Sequence, residues 1–100
     1  MASNLEVKVE RIEGKCGLYE KGDKFLIEQG WLLASNKPVC LHALASLMPC
    51  YVALANGVDP AELGLTSKDG LDPGAAYVRC FDPCDITGGG SVTFRISTIE

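Results

Sequence analysis

The sequence predicts an α+β fold: a small antiparallel sheet in β-β-α-β-β order, packed on one apolar, proline-kinked central helix. Three observations carry that prediction. First, apolar and polar residues alternate near both ends of the chain. Leu5, Val7 and Val9 alternate with Glu6, Lys8 and Glu10, and Val92, Phe94 and Ile96 with Thr93, Arg95 and Ser97. A period of two is that of a half-buried strand. Second, the stretch from Val39 to Ala55 is almost entirely apolar, interrupted only by His42, Ser46, Pro49 and Tyr51. A helix apolar on all faces belongs in a core. Third, the chain has 100 residues and neither an internal repeat nor a linker, so residues 1–100 form a single domain.

The elements follow in order. Ile12 continues the first strand less regularly, and Gly14-Lys15-Cys16-Gly17 ends it in a loop. Lys21-Gly22-Asp23 makes a turn, and Phe25-Leu26-Ile27 a second short strand, which Gly30 interrupts and Trp31-Leu32-Leu33 can resume. Ser35-Asn36-Lys37-Pro38 reads as a helix start. Ser35 or Asn36 would accept the first unpaired N–H groups, and Pro38 suits an early helical position. Pro49 lacks an N–H and must kink or break that helix, and Asn56-Gly57 stops it. Asp59-Pro60-Ala61-Glu62 combines a cap, a proline at the first helical position and an acidic third residue, so it forms a short helical turn. Residues 66–75 are a loop, Tyr77 to Phe81 a strand, and Gly88-Gly89-Gly90 a turn into the last strand.

Composition removes several classes of partner. Nine Lys and Arg against 13 Asp and Glu leave a net charge of −4, and the basic residues are scattered. Nucleic acids and anionic membranes select clustered cations, so neither is expected. The apolar stretch approaches the ~20 residues of a membrane span, but Pro49 and His42 lie inside it and no basic anchors flank it. The first ten residues alternate like a strand and carry no leader pattern, which points to the cytoplasm. A small domain has too little protein to cover a helix apolar all round. A homo-oligomer or a larger enzyme subunit is therefore the expected partner, with Trp31 an interface or core residue.

Five cysteines remain to be explained. In a reducing compartment they are not a disulfide framework, and an odd number cannot all pair within one chain. Cys16 lies in the glycine loop, Cys40 in the first turn of the central helix, and Cys80 near a strand end before Asp82-Pro83. Side chains at such places can converge. A helix N-terminus favours a thiolate at Cys40, and thiolates ligate zinc and iron–sulfur clusters. No CxxC is present. Cys40 and His42, two apart, share a helix face only if the turn there is not helical. Cys80 and Cys84 frame Phe81-Asp82-Pro83, a turn that could fold both onto one ion. Cys50 follows Pro49 and reads as core, and every free cysteine can also serve simply as a small hydrophobe. A lone histidine among apolar residues is commonly a hydrogen-bonded core residue. No GxSxG, HExxH or Walker loop occurs, and Gly88-Gly89-Gly90 precedes a strand, so it is no phosphate cradle.

Taken together, Gly14-x-Cys16, Lys21-Gly22-Asp23-x-Phe25, Cys40 with Ala43 and Pro49, Gly57, Cys80-x-Asp82-Pro83 and Val92-x-Phe94-x-Ile96 resemble a family of proteins. Its members are small, largely uncharacterised three-cysteine proteins found mainly in anaerobic bacteria and archaea. The resemblance implies that Cys16, Cys40 and Cys80 form the site and that Cys50 and Cys84 are incidental. It assigns no reaction. The chain departs from the family between Gly17 and Glu20, where a histidine near Lys21 is usual. The fourth position is left to a small molecule, water, Cys84 or His42.

The expectation is a metal-binding protein whose three thiolates hold an iron–sulfur cluster, [4Fe–4S], with an electron-transfer, Lewis-acid or structural role. Iron is preferred over zinc because of the family's anaerobic distribution, and zinc is the alternative. Two other classes stand beside it. One is a non-catalytic accessory subunit that docks its apolar helix on a larger enzyme. The other is a thiol enzyme using Cys16 or Cys40 as nucleophile, for which no activating base is evident.

Overall fold

The two alternating ends of the chain lie side by side. In the computed structural model, which describes residues 2–99, β1 (Asn4–Gly14) and β5 (Gly90–Ile99) pair antiparallel from Asn4↔Ile99 to Gly14↔Gly90. They are the centre of a five-stranded antiparallel sheet. β2 (Lys24–Glu28) flanks β1, β3 (Leu32–Ala34) flanks β2, and β4 (Ala75–Arg79) flanks β5, giving the order β3-β2-β1-β5-β4. Leu5, Val7 and Val9 point to one face with Phe25, Ile27, Val92, Phe94 and Ile96, and all are buried. The register of β1 against β5 shifts between Val9 and Arg11. Such a bulge moves later residues to the opposite face, which is why Ile12, out of phase with Val9, still packs on the core.

The element order is β-β-β-α-α-3₁₀-β-α-β, which corrects the expected β-β-α-β-β. The single central helix is corrected too. The stretch forms α1 (Leu41–Leu47) and α2 (Tyr51–Ala55), separated at Met48-Pro49-Cys50. Pro49 breaks the helix rather than kinking it, since it can offer no N–H to the preceding turn. Neither helix is buried all round. Ala43, Leu47, Leu54 and Ala55 face the sheet, while Leu41, Met48 and Val52 are exposed. No described helix is long and apolar enough to cross a membrane.

The helix also starts later than Ser35 or Asn36. The Ser35 hydroxyl donates to the Lys37 carbonyl at 2.7 Å and accepts the Lys37 N–H at 3.3 Å, so this segment closes on itself. Cys40 is the N-cap instead, in extended conformation and without a side-chain capping bond. The Asp59 cap behaves as expected: its carboxylate accepts the Ala61 N–H at 3.0 Å at the head of a 3₁₀ helix (Pro60–Leu63). β4 begins and ends two residues before the expected strand, and Pro83 leads into an unforeseen helical turn, α3 (Cys84–Thr87). On the outer face of the sheet, Arg95 clasps Asp72 with bonds of 2.7 and 2.8 Å, and Tyr77 donates to the same carboxylate. Arg95 first and Tyr77 second hold the Asp72 carboxyl down at about 2, well below the usual carboxylate range.

Candidate functional site

At the end of the sheet where β1 stops and β5 starts, a pocket of about 410 Å³ opens beside the head of α1. Cys16, Cys40, Cys80 and His42 all line it, with Leu18, Tyr19, Ala43, Val92 and Phe94 supplying an apolar wall.

Each cysteine arrives on a different element. Cys16 sits on the loop after β1, and that loop lies directly on the start of β5. The Lys15 N–H bonds the Gly89 carbonyl at 3.2 Å. A Cβ on Gly90 would stand 2.5 Å from the Cys16 nitrogen and the Lys15 carbonyl carbon, so only glycine permits this approach. The far side of the loop is held by Lys37. Its ammonium donates to the Leu18 carbonyl at 3.0 Å and to Asp23 at 2.7 Å. Asp23 in turn accepts the Glu20 N–H at 2.9 Å. The carboxyl of Asp23 is lowered and the ammonium of Lys37 raised, each chiefly by the other.

Cys40 enters as the cap of α1. Because it is extended rather than helical, it and His42 reach the same pocket despite their two-residue spacing. The His42 ring lies 4.8 Å from that of exposed Phe81. Cys80 follows β4 and is buried. Its N–H donates to the Val92 carbonyl at 2.8 Å and its carbonyl accepts the Ser91 hydroxyl at 3.1 Å.

One residue joins two of these thiols. Tyr19 is only 4% exposed. Its N–H donates to the Cys16 sulfur at 3.3 Å, and its hydroxyl oxygen accepts the Cys40 N–H at 3.1 Å. Its ring stands edge-on to Phe94, centroids 5.8 Å apart. Burial raises the phenol pKa, the Cys40 N–H works against that, and the nearby Cys40 and Cys16 raise it further.

The remaining cysteines do not line the pocket. Cys50 is a core thiol that donates to the Leu47 carbonyl at 3.5 Å, and burial pushes its pKa up. Cys84 opens α3 and packs beside Gly14, where an added Cβ would meet the Cys84 Cβ at 3.1 Å. Tyr19, Lys37 and Gly90 are the contributors that sequence reasoning missed. Tyr19 had one weak signal, an aromatic three residues past a cysteine in a glycine-containing loop. Lys37 had none, because its partners are distant in sequence.

Comparison of the chain with protein-family models, with curated proteins and with solved structures finds no match. The chemistry of the pocket therefore rests on its own residues. Among the described residues, no group of three or more His, Cys, Asp or Glu side chains is gathered closely enough to share one metal ion. A single zinc draws its thiolates to ~2.3 Å of one centre. A cluster asks for something looser, since each thiolate takes its own iron. The three cysteines line one pocket without being gathered, among the described residues, as ligands of one metal ion.

Proposed function

We propose that this domain holds an iron–sulfur cluster, [4Fe–4S], through the thiolates of Cys16, Cys40 and Cys80. One observation carries the reading: three cysteines far apart in sequence line a single pocket, while Cys50 is committed to the core and Cys84 lies outside the pocket. Bound there, the cluster would supply one-electron transfer or a Lewis-acidic iron. The chain's own residues do the rest. Leu18, Val92 and Phe94 limit water, the Tyr19 N–H stabilises charge on the Cys16 sulfur, and His42 stands at the same pocket for a fourth position. The expected compartment is the cytoplasm.

The test is iron and acid-labile sulfide content with an absorption spectrum, on protein prepared without oxygen. The wild type is expected to be brown with iron and sulfide in equal amounts. Cys16→Ser, Cys40→Ser and Cys80→Ser are each expected to lose most of both, and Cys50→Ser to keep them. A colourless protein with neither iron nor zinc removes the proposal, and a zinc-only protein replaces it with the alternative.

A second reading is favoured by a separate surface. Trp31, Leu33 and Met48 are 70, 45 and 53% exposed and border an apolar groove with Leu44, Leu47 and Tyr51. Contiguous exposed apolar surface marks interaction sites. The reading is a homo-oligomer or an accessory subunit docked on a larger enzyme, and it is compatible with a bound cluster. Sedimentation is expected to show self-association that Trp31→Asp abolishes. A monomer that also fails to enter any complex in cell extract removes this reading.

A further inference from the structure

We infer that a second copy of this chain pairs with it edge to edge through β3, continuing the sheet across a twofold axis. The inference rests on the reading of the Trp31 surface as an interaction site and commits that surface to one partner. The two edges of the sheet are unlike. On the β4 side, the Tyr77 N–H donates outward to the Leu65 carbonyl at 2.9 Å, so the chain covers that edge itself. On the β3 side, Leu32, Leu33 and Ala34 pair with β2, and among the described residues no backbone group bonds them from the other side. An open edge is a template for another strand, and folds commonly blunt it with charge or proline. Trp31-Leu32-Leu33-Ala34-Ser35 has neither.

A three-residue edge makes few hydrogen bonds, so side chains must add to the contact. Leu33 lies opposite Ile27 and shares the core face of the sheet, yet it is 45% exposed. With Trp31, Leu44 and Met48 it lines a groove of about 170 Å³ whose walls are the edge strand and α1. Two strands paired antiparallel across a twofold keep the same face on the same side, so the grooves of both copies meet at one seam. In the register that overlaps all three residues, Leu33 sits opposite its own counterpart. Charge selects the occupant. The chain carries −4, so two copies repel along most approaches. In a twofold contact each patch meets itself, and a charge near the axis meets its like. No charged side chain belongs to β3 or lines the groove. A foreign partner would find no charge there to fix its register, whereas a second copy needs none.

Sedimentation of the full chain over a concentration series, with reductant present to keep the thiols from cross-linking, is expected to show a dimer. Leu33→Lys and Leu33→Glu each set like charges face to face and are expected to weaken it about a hundredfold. An equal mixture of the two is expected to restore it, because only a twofold at residue 33 places the lysine of one copy opposite the glutamate of the other. In the wild type, amide exchange at residues 32–34 is expected to slow as concentration rises, and this measurement carries the test if a residue-33 variant does not fold. A dimer that Trp31→Asp abolishes, but whose residues 32–34 exchange equally fast at every concentration, overturns the edge pairing and leaves the surface reading standing. So does a mixture of folded Leu33→Lys and Leu33→Glu that stays monomeric beside a dimeric wild type. A wild type that is monomeric at every concentration overturns the edge pairing, and if it also enters no complex in cell extract the surface reading falls with it.

Discussion

Phe94→Ala is expected to destabilise the fold by about 3–5 kcal/mol, the range for emptying a buried aromatic site. A domain of this size has a total margin of about 5–15 kcal/mol, so the loss is a large fraction of it. Phe94 is fully buried on a central strand, and it meets Tyr19 and Phe25 edge-on at 5.8 and 6.2 Å. The sheet beneath it is fixed on both sides by β1 and β4, so the space cannot close by a strand moving inward. The cost should therefore lie toward the upper end. Urea unfolding followed by tryptophan fluorescence and far-ultraviolet dichroism measures it. A loss below about 1 kcal/mol would mean that the core repacks around the gap and that Phe94 does not anchor it. Because Phe94 also walls the pocket, the variant should also weaken the proposed cluster binding even where it remains folded.

The second large effect is expected at Gly90. Gly90→Ala forces a methyl against the backbone at Lys15 and Cys16, which have no rotamer to change. Overpacking of this kind costs about 1–3 kcal/mol, and the upper end applies because the obstacle is main chain. Gly17, on the other side of the same cysteine, has nothing within 4 Å of an added Cβ. Gly17→Ala is expected to change stability by less than about 0.5 kcal/mol. The pair of variants separates a general glycine effect from the specific contact. Amide hydrogen exchange should show faster exchange at residues 15–19 in Gly90→Ala alone. Equal behaviour of the two variants would show that the loop does not rely on the strand beneath it.

Local periodicity made much of the sheet legible. β1 and β5 follow from alternation of apolar side chains, because one face of each is buried and the other is not, and β2 from a short apolar run after the Lys21-Gly22-Asp23 turn. The Asp59 cap was legible for the same reason: its cause lies within three residues. What sequence left hidden depends on distant partners. The sequence shows β3, at Trp31-Leu32-Leu33, only as a resumption of β2; that it folds back as a separate antiparallel strand of three residues, two of them exposed, depends on the edge β2 offers it. The break at Pro49 was foreseen as a kink or break, but which of the two depended on packing against the sheet. The start of α1 was missed because Ser35 bonds to Lys37 instead of a helix N–H, and Lys37 is drawn away by Leu18 and Asp23. At the site, the three cysteines were legible as positions at element ends. Tyr19 was not, since its importance comes from bonding Cys40, and that contact exists only after folding.

The pairing of β1 with β5 also fixes when the site can come into being. Cys16 has no strand to rest on until Gly89 and Gly90 arrive, and β1, though paired with nearby β2, lacks its second partner until residues 90–99 close a loop of nearly the whole domain. Closing so long a loop must precede the contacts that reward it, which slows folding. During synthesis, at roughly 5–20 residues per second, Cys16 waits several seconds with its neighbours unmade. The nascent domain therefore exposes its thiols singly before it presents them as a set. Any metal loading that needs all three must follow the emergence of the last strand, and conditions during those seconds decide how much of the chain remains competent to receive it.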